Sequence, residues 1–227
     1  MELQEPERIT PEMLSNAKIA ITETVGGQWS IPEREYYFHK TEIMAQELLG
    51  NFLLKIEEDT EGNLKFIGGR IVETEAYLGA EDAASHAARR TARAMENFHQ
   101  QGGMSYVFYS YGIYHCFNVI VRPEGIPGCV LIRALEPILD INEMTQRRRI
   151  SPRNLRNLCS GPGKLCQALG IHAETHNRYD LRDSALLVFV PESKEISIST
   201  GPRIGITKAA EMRLRYWITN SPWISRR

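Results

Sequence analysis

The segment RIVETEAYLG carries two carboxylates, Glu73 and Glu75, separated by one residue. In an extended strand alternate side chains point to the same face, so both carboxylates share a side with Ile71 and Tyr77, about 7 Å from each other. If that face lines a cleft, each charge disfavours ionisation of the other, and one carboxylate becomes a candidate general base for water. The alternative is an exposed face with both carboxylates solvated or paired with arginine.

A basic residue within an apolar segment is a natural partner for these acids. The segment VLIRALEP places Arg133 in a short strand predicted to be buried. A buried guanidinium requires an anion, because an unpaired charge in the interior is costly. An Arg–Glu pair inside the sheet would be purely structural or would hold a water for attack, and the residue pattern leaves both interpretations open.

Aromatic residues are concentrated in one uncharged segment. Six of the nineteen aromatics lie within residues 106–117. The strand period puts Tyr106 and Phe108 on one face, which a buried hairpin alone would explain. Most of these rings are tyrosines, however, whose hydroxyls need partners or water, and residues 110–112 are typical of a turn that exposes Tyr111. Such a surface is suited to gripping flat molecules.

The formal net charge of −1 conceals an asymmetry along the chain. Residues 1–143 carry 12 Lys and Arg against 22 Asp and Glu, whereas residues 144–227 carry 15 against 6. A charge run is usually a solvated face, but an arginine-rich run also suits phosphate. The pI near 6.6 argues against a strongly basic non-specific binder, so any nucleic-acid contact should be a local stripe. Its predicted members are Arg147, Arg148, Arg149 and Lys164.

Two further motifs favour particular ligands only weakly. HAETH spaces His172 and His176 as metal ligands on a helix would be spaced, but the glutamate is third rather than second and no third ligand is evident. A metal-dependent hydrolase that a chelator inactivates is therefore the lesser alternative, and we expect neither metal nor other cofactor. SGPGKLC is not a Walker loop, although it can present a helix N-terminus and Lys164 to one phosphate.

The helices and strands that must position these residues are predicted from the residue patterns of each segment. We predict an N-terminal extension, residues 1–37, with a short helix that Thr10 caps and Pro11 begins. The predicted helices beyond it start near His39, Asp140 and Gly163, and the predicted strands include a long one with a glycine interruption at KFIGGRIVETEAYL and late ones at SALLVFV and RYWITN. This irregular mixture predicts an α+β class: one compact domain, residues 38–227, around a curved antiparallel or mixed sheet.

Cellular location is predicted from what the sequence lacks. No apolar run reaches the roughly 20 residues that span a bilayer, and the acidic start is no signal peptide. The four cysteines form no C-x-x-C pair, so we predict buried, reduced thiols. We expect a soluble intracellular monomer without membrane contact, in the cytoplasm or nucleoid of a bacterium or the nucleus of a eukaryote.

Taken together, a basic stripe, a tyrosine at a loop tip, aromatic walls and a carboxylate for water are what removal of a base from duplex DNA requires. Seven motifs, in chain order, resemble those of the alkyladenine (3-methyladenine) DNA glycosylase family: VETEAYLG, EDAASH, YVFYSYGIYHCFNV, VLIRALEP, LCSGPGKLCQALGI, PRIGI and SPWIS. The resemblance covers residues 38–225. It implies an antiparallel sheet with a protruding, DNA-intercalating β-hairpin. It also implies a monofunctional, metal-free enzyme that hydrolyses the N-glycosidic bond of 3-methyladenine, 7-methylguanine and hypoxanthine and starts base-excision repair.

The resemblance also implies roles for individual residues. Glu75 matches the general base, and Arg133 and the Ile204 backbone match the groups that help to hold the attacking water. The side chains implied to surround the flipped purine are Tyr77, His86, Phe108 and Asn118. We expect the Glu75 carboxylate to face a ring-lined slot wide enough for one purine. No lysine stands at the position of the base, so a Schiff-base lyase step is not expected.

Two departures from the family pattern concern the pocket and its neighbouring loop. Phe108 stands where a second stacking tyrosine is common, so the ring is kept and the hydroxyl is lost. The loop of residues 91–103 lacks the usual pattern.

Tyr111 and Ile113 are implied to intercalate at the hairpin tip. The alternative function is a catalytically idle DNA-binding module with the same hairpin, and release of free base would distinguish it from the enzyme.

Overall fold

The computed structural model describes residues 8–89, 91, 96–110, 112–122 and 125–226. Its α-helices are α1 (Pro11–Val25), α2 (Thr41–Glu47), α3 (Ile141–Arg148), α4 (Pro162–Leu169) and α5 (Ala173–His176). Its strands are β1 (Trp29–Ser30), β2 (Phe52–Glu58), β3 (Leu64–Tyr77), β4 (Ser105–Ser110), β5 (Tyr114–Ile120), β6 (Cys129–Leu139), β7 (Leu186–Pro191), β8 (Ile198–Gly201) and β9 (Arg215–Ile218). Short 3₁₀ turns occupy Arg34–Tyr37, His86–Arg89 and Pro152–Asn157.

The described strands form one antiparallel sheet in the order β1-β7-β2-β3-β6-β5-β4. Strand β3 is central: its first half pairs with β2, residues 73–75 pair with β9, and β6 lies along its other edge. Strand β8 extends the sheet beyond β9. The predicted α+β class and antiparallel sheet are confirmed, and the predicted turn after Ser110 joins β4 to β5 as a hairpin.

The two faces of the sheet follow the period of two that the sequence shows. Val107, Phe117, Val130, Ile132 and Ala76 belong to the main core. The alternate positions on the same strands, including Tyr106, Ile120 and Cys129, form a separate cluster on the opposite face with Ala87 and Phe98. Helices α2 and α4 contribute Met44, Ala45, Leu165 and Leu169 to the main core. The second cluster therefore lies on the face that carries the candidate site.

The glycine interruption in β3 coincides with a change in strand pairing. Register shifts occur between Gly68 and Gly69 and again between Ile71 and Glu73. A Cβ at Gly69 would lie 2.0 Å from the Glu136 carbonyl oxygen, so the neighbouring backbone leaves no room for a side chain. Because of the second shift, Ile71 packs in the main core. Its predicted placement beside Glu73 was wrong, since a simple alternation does not survive a shift in register.

The N-terminal segment packs on the sheet. Thr10 accepts a hydrogen bond from the Met13 N–H and Pro11 begins α1, as predicted. Ala17 and Ile21 of α1 are buried in a cluster with Phe52 and Phe189 of the sheet. The segment that follows α1 includes β1, which pairs with β7. The boundary of the N-terminal extension at residue 37 stays a prediction.

The later helices confirm their predicted starts. Asp140 caps α3 by accepting from the Glu143 N–H, and α4 begins at Pro162. Strand β8 had no counterpart among the predicted elements. The four cysteines are buried and free, as predicted. Among the described residues, no helix is both long and apolar enough to cross a membrane.

Candidate active site

Strand register brings the predicted site residues into one row. Tyr106 on β4 lies opposite Asn118 on β5, Asn118 lies opposite Leu131 on β6, and Leu131 lies opposite Glu75 on β3. Directly opposed residues in an antiparallel sheet project from the same face. The next row joins Tyr77, Cys129 and Ile120. The candidate base and the aromatic segment, about thirty residues apart in the sequence, thus share one face.

Arg133 lies between the two carboxylates of β3. Its Nε is 3.2 Å from Glu73 Oε1, and its Nη1 is 3.1 Å from Glu75 Oε1. Arg133 has no partner in the β3–β6 register, because Ala134 pairs with Glu73 and Ile132 pairs with Thr74. This local irregularity turns a side chain from an apolar strand toward both acids. The predicted pairing of Arg133 with the strand carboxylates is confirmed.

Glu73 is the more heavily bonded of the two carboxylates. Besides Arg133, it accepts from Arg215 Nη1 at 3.1 Å and from the Ser225 hydroxyl and backbone N–H at 2.9 and 2.5 Å. Its side chain is fully buried. Two guanidiniums and a segment near the end of the described chain therefore converge on Glu73. These contacts suit a structural anchor, because the carboxylate is already fully engaged.

Glu75 has a smaller set of partners. Its Oε1 accepts from the Ile204 N–H at 2.7 Å and faces Arg133, and its Oε2 accepts from the Tyr77 hydroxyl at 3.0 Å. Burial raises the pKa of Glu75, and the Arg133 charge, the Ile204 N–H and the Tyr77 hydroxyl each oppose that rise. Glu75 is thus a carboxylate with elevated proton affinity held among three donors, which suits a general base.

The Glu75 carboxylate, expected to face an open slot, is closed off from solvent by its neighbours among the described residues. The Glu75 side chain has 0% exposure, because Arg133, Ile204 and Tyr77 enclose both of its oxygens. Tyr77 is only partly buried. A water or a purine can therefore reach the carboxylate only after a neighbouring group moves.

Aromatic rings adjoin this carboxylate. The His86 and Phe108 ring centroids are 4.5 Å apart at 66°, and Tyr106 stacks on Phe108 at 5.3 Å. Phe108 and Tyr77 both pack against the cluster around Tyr106 and Phe98. Burial and the nearby Arg89 charge lower the pKa of His86 to about 4, so its imidazole is neutral at neutral pH. His86 Nδ1 lies 2.9 Å from the Tyr106 hydroxyl, which fixes the ring.

Asn118 is held rigidly between strands. Its amide nitrogen donates to the Tyr106 carbonyl at 3.0 Å, and its amide oxygen lies 3.8 Å from the Cys129 thiol. The side chain is nearly fully buried, with 2% exposure of the residue. These contacts hold the amide in one defined orientation.

One buried ion pair was missed in the sequence. Arg203 and Asp82 form a bidentate ion pair, with N–O distances of 2.5 and 2.8 Å, and both side chains are completely buried. Arg203 directly precedes Ile204, whose N–H binds Glu75. The only signal in the sequence was the position of these residues inside EDAASH and PRIGI, two motifs that carried the family resemblance without a role for either charge.

The β4–β5 hairpin presents apolar and aromatic groups to solvent. Ile113 is 69% exposed, and Tyr109 and Tyr114 are about half exposed. Tyr111, predicted to intercalate, lies outside the described residues. A Cβ at Gly163 would lie 2.9 Å from the Tyr114 Cβ, so the hairpin rests closely on the start of α4.

The arginine side chains predicted to contact phosphate differ in how many bonds they already make within the protein. Arg147 pairs with Glu57 at 2.5 Å and with Glu143 at 3.0 Å, which ties α3 to β2. Arg148 donates to the Leu158 carbonyl and to Gln167. The Arg149 side chain is exposed and makes no hydrogen bond or ion pair to another described residue, whereas its backbone N–H donates to the Gln146 carbonyl at 3.0 Å. Among these three, the phosphate-contact prediction therefore rests mainly on Arg149.

Lys164 lies in a polar cleft of about 520 Å³. Its Nζ donates to Asn157, and Arg156, Ser225 and Arg226 also line the cleft. Ser225 connects the cleft to the carboxylate network, because its hydroxyl bonds Glu73 and lies 3.4 Å from Arg133 Nη2. This placement suits the predicted contact between Lys164 and a phosphate near the site.

The two histidines of HAETH do not point at a common ligand. His176 is buried, and its Nδ1 accepts from the His172 N–H. Instead, His172 and Glu174 approach His115, with His172 Nδ1 3.3 Å from His115 Nε2. The Ala173 N–H donates to His115 Nδ1, so the proton of that ring is on Nε2. The His115–His172 contact is therefore a hydrogen bond, and the nitrogen facing His172 has no free lone pair for a metal.

Comparisons with known proteins identify relatives over most of the chain. A model of the methylpurine-DNA glycosylase (MPG) family matches residues 35–222. A protein of Koribacter versatilis named "Putative 3-methyladenine DNA glycosylase" is 40% identical over 85% of this chain and 91% of its own length. Proteins of the same name from Chlorobaculum parvum and Clostridium tetani are each 41% identical, over 84% and 86% of this chain and 88% and 98% of their own lengths.

Proposed function

This chain belongs to the methylpurine-DNA glycosylase family, whose members hydrolyse N-glycosyl bonds in DNA, and we propose that it excises alkylated and deaminated purines from duplex DNA. The proposed substrates are 3-methyladenine, 7-methylguanine and hypoxanthine. The observation that carries the proposal is the Glu75 carboxylate, which has a raised pKa and lies beside Arg133 and the Ile204 N–H on the face that also bears the aromatic cluster.

In the proposed reaction Glu75 takes a proton from water as the water oxygen bonds C1′ of the deoxyribose. The C1′–N bond breaks and its electron pair leaves with the purine. An alkylated purine is already cationic, so it departs as a neutral base and the enzyme has little need of a general acid. The Arg133 guanidinium and the Ile204 N–H are placed to orient the water once the Tyr77 hydroxyl no longer occupies Glu75 Oε2.

A base inside a duplex cannot reach a buried carboxylate, so the target nucleotide must be flipped out of the stack. The exposed hairpin supports this step, because Ile113 and the neighbouring tyrosines present apolar surface that can fill the gap in the duplex. Tyr111 is proposed to share that role. Tyr77, His86 and Phe108 are proposed as the walls of the base pocket, and Asn118 as the group that screens the purine edge.

The test is release of free base from duplex oligonucleotides that contain hypoxanthine or 7-methylguanine. We expect Glu75→Gln to slow release by on the order of 10²–10⁴-fold while duplex binding is kept, because only the proton acceptor is removed. Glu58→Gln, at an exposed position at the end of β2, is the matched control and should leave the rate unchanged. Binding without release by the native protein would favour the idle DNA-binding module.

The partner proposed for this enzyme is double-stranded DNA with a damaged purine, bound by a monomer. The proposed location follows from the substrate: the nucleoid-containing cytoplasm of a bacterium or the nucleus of a eukaryote. Sedimentation of the protein with a short duplex tests the stoichiometry, and more than one protein per lesion would contradict the monomer.

A further inference from the structure

Asp82 and Arg203 form the most completely buried ion pair among the described residues. Both side chains have 0% exposure, and the two guanidinium nitrogens meet the two carboxylate oxygens at 2.5 and 2.8 Å. The pair is bidentate, which is the strongest geometry for these groups. Its charges therefore cancel locally, inside the face of the sheet that carries the candidate site.

The pair joins the segments that carry the site. Arg203 Nη1 donates to the Ala76 carbonyl at 3.0 Å, between Glu75 and Tyr77 in the chain. Asp82 accepts from the backbone N–H groups of Leu78 and Ala84 at 3.2 and 3.0 Å, at the start of the turn that leads to His86. The end of β3, the His86 turn and the Ile204 segment are thus held at one point.

The Arg203 guanidinium also covers one face of Tyr77. Its Cζ lies 4.6 Å from the Tyr77 ring centroid, within the range of a cation–π contact. A base that stacks on Tyr77 must therefore use the opposite face. A cationic purine there would lie roughly 8 Å from the guanidinium, adding a stacking distance of about 3.5 Å to the distance already present. An uncompensated guanidinium at that range would repel the purine.

We propose that Asp82 sets the selectivity of this enzyme for cationic purines by neutralising Arg203 behind Tyr77. With the charge cancelled, the pocket face of Tyr77 keeps its attraction for a cationic base. Arg203 can then anchor Tyr77 and the Ile204 segment without opposing an alkylated purine. This inference rests on the proposed function, since it concerns which purine that site accepts.

The test compares single-turnover release of 7-methylguanine, a cationic base, with release of hypoxanthine, a neutral base. In Asp82→Asn the guanidinium is left uncompensated, and we expect the ratio of the two rates to fall about tenfold, as like charges at this separation predict. In the double variant Asp82→Asn with Arg203→Gln, both charges are absent, and the ratio should return to within about twofold of the native value.

A merely structural role would lower both rates in parallel and would not be rescued by a second substitution. An unchanged ratio in Asp82→Asn, or a ratio that stays low in the double variant, would overturn the inference. If circular dichroism shows that Asp82→Asn is unfolded, the ratio of the two rates is measured instead in the single variant Arg203→Gln, which then decides the test. The Leu78 and Ala84 N–H groups then keep Asp82 ionised, so the ratio should rise, and no rise would overturn the inference.

The activity of the native protein distinguishes a failure of this inference from a failure of the proposed function. If it releases neither base, the proposed function fails and the ratio has no meaning. If it releases both bases and Glu75→Gln abolishes release, the proposed function stands, and only the behaviour of the ratio decides the role of Asp82.

Discussion

Two glutamates of the same chemical type, two residues apart, have different surroundings. Glu73 is bound by two guanidiniums and by Ser225, whereas Glu75 shares one guanidinium and accepts from Ile204 and Tyr77. Position on β3 contributes to the difference: Glu73 lies at the register shift, opposite Trp217 on β9, and Glu75 lies in the row of the aromatic segment. We therefore expect substitution of Glu73 and substitution of Glu75 to affect stability and base release to different extents.

The pH dependence of base release should report Glu75. A general base must be ionised, and burial raises the pKa of Glu75 above its ordinary value of 4.5. The rate should therefore fall as the pH drops, with a half-maximum above pH 4.5. Tyr77→Phe removes a hydroxyl that lowers this pKa and should move the half-maximum to higher pH. Single-turnover rates measured against pH test both, and a half-maximum at or below the ordinary value would contradict the assignment.

Glu73→Gln should act on stability more than on chemistry. It leaves Arg133 and Arg215 with one buried carboxylate fewer, and breaking a buried ionic network costs about 3 kcal/mol of the free energy of unfolding. Urea denaturation measures this loss. The matched substitution Glu75→Gln should cost less stability and far more activity. Equal losses of stability in both variants would show that the two carboxylates are not divided in this way.

At the scale of elements, β3 does the most to build the site. It pairs with β2, β9 and β6 in succession, and its register shifts bring Arg133 between the two acids. The glycines of β3 lie at the first of its register shifts, between Gly68 and Gly69, where adjacent backbone leaves no space for a Cβ. The exposed hairpin is at one edge of the sheet and the buried carboxylate is on its central strand, so the rigidity of the strands fixes the distance between them.

Gly69→Ala should destabilise the protein by about 2 kcal/mol, the cost of forcing a methyl group into a packed strand pair. The added Cβ would lie 2.0 Å from the Glu136 carbonyl oxygen, so β6 must shift. Gly201→Ala is the control, since its nearest neighbour is the end of the Trp217 side chain at 3.1 Å. Thermal unfolding compares the two. A smaller effect at Gly69 than at Gly201 would contradict this account of the interruption.

At the scale of the whole molecule, the acidic first part and the basic last part of the chain are not simply two opposite surfaces. The interleaved sheet brings both together, and much of the basic charge is paired within the fold, as Arg147 is with Glu57 and Glu143. The charge available to DNA is therefore smaller than the count along the sequence indicates. Arg149 is an exposed member of the predicted stripe, and Lys164 faces a polar cleft.

Arg149→Gln should weaken binding to undamaged duplex and reduce the slope of log affinity against log salt by about 1, the contribution of one phosphate contact. Arg147→Gln should leave that slope unchanged and lower the free energy of unfolding by about 1 kcal/mol, because it breaks partly buried pairs. Titrations at several salt concentrations, with denaturation in parallel, separate the two. An unchanged slope for Arg149→Gln would make it an ordinary solvated side chain.

Local patterns in the sequence determined the elements and the identity of the chemical groups. Alternation put Tyr106 and Phe108 on one face and placed Glu75 on the same face as Tyr77, the motif order indicated the family, and a cap residue marked α1. These features depend on residues that are close together in the chain, so they can be recognised in the sequence. Only the tertiary structure decided which glutamate is saturated, that Glu75 is enclosed, that Arg147 is paired, and that Asp82 and Arg203 meet beneath Tyr77. Those outcomes depend on strand register and on contacts between segments that are distant in the chain, where desolvation and pairing set the state of each charge.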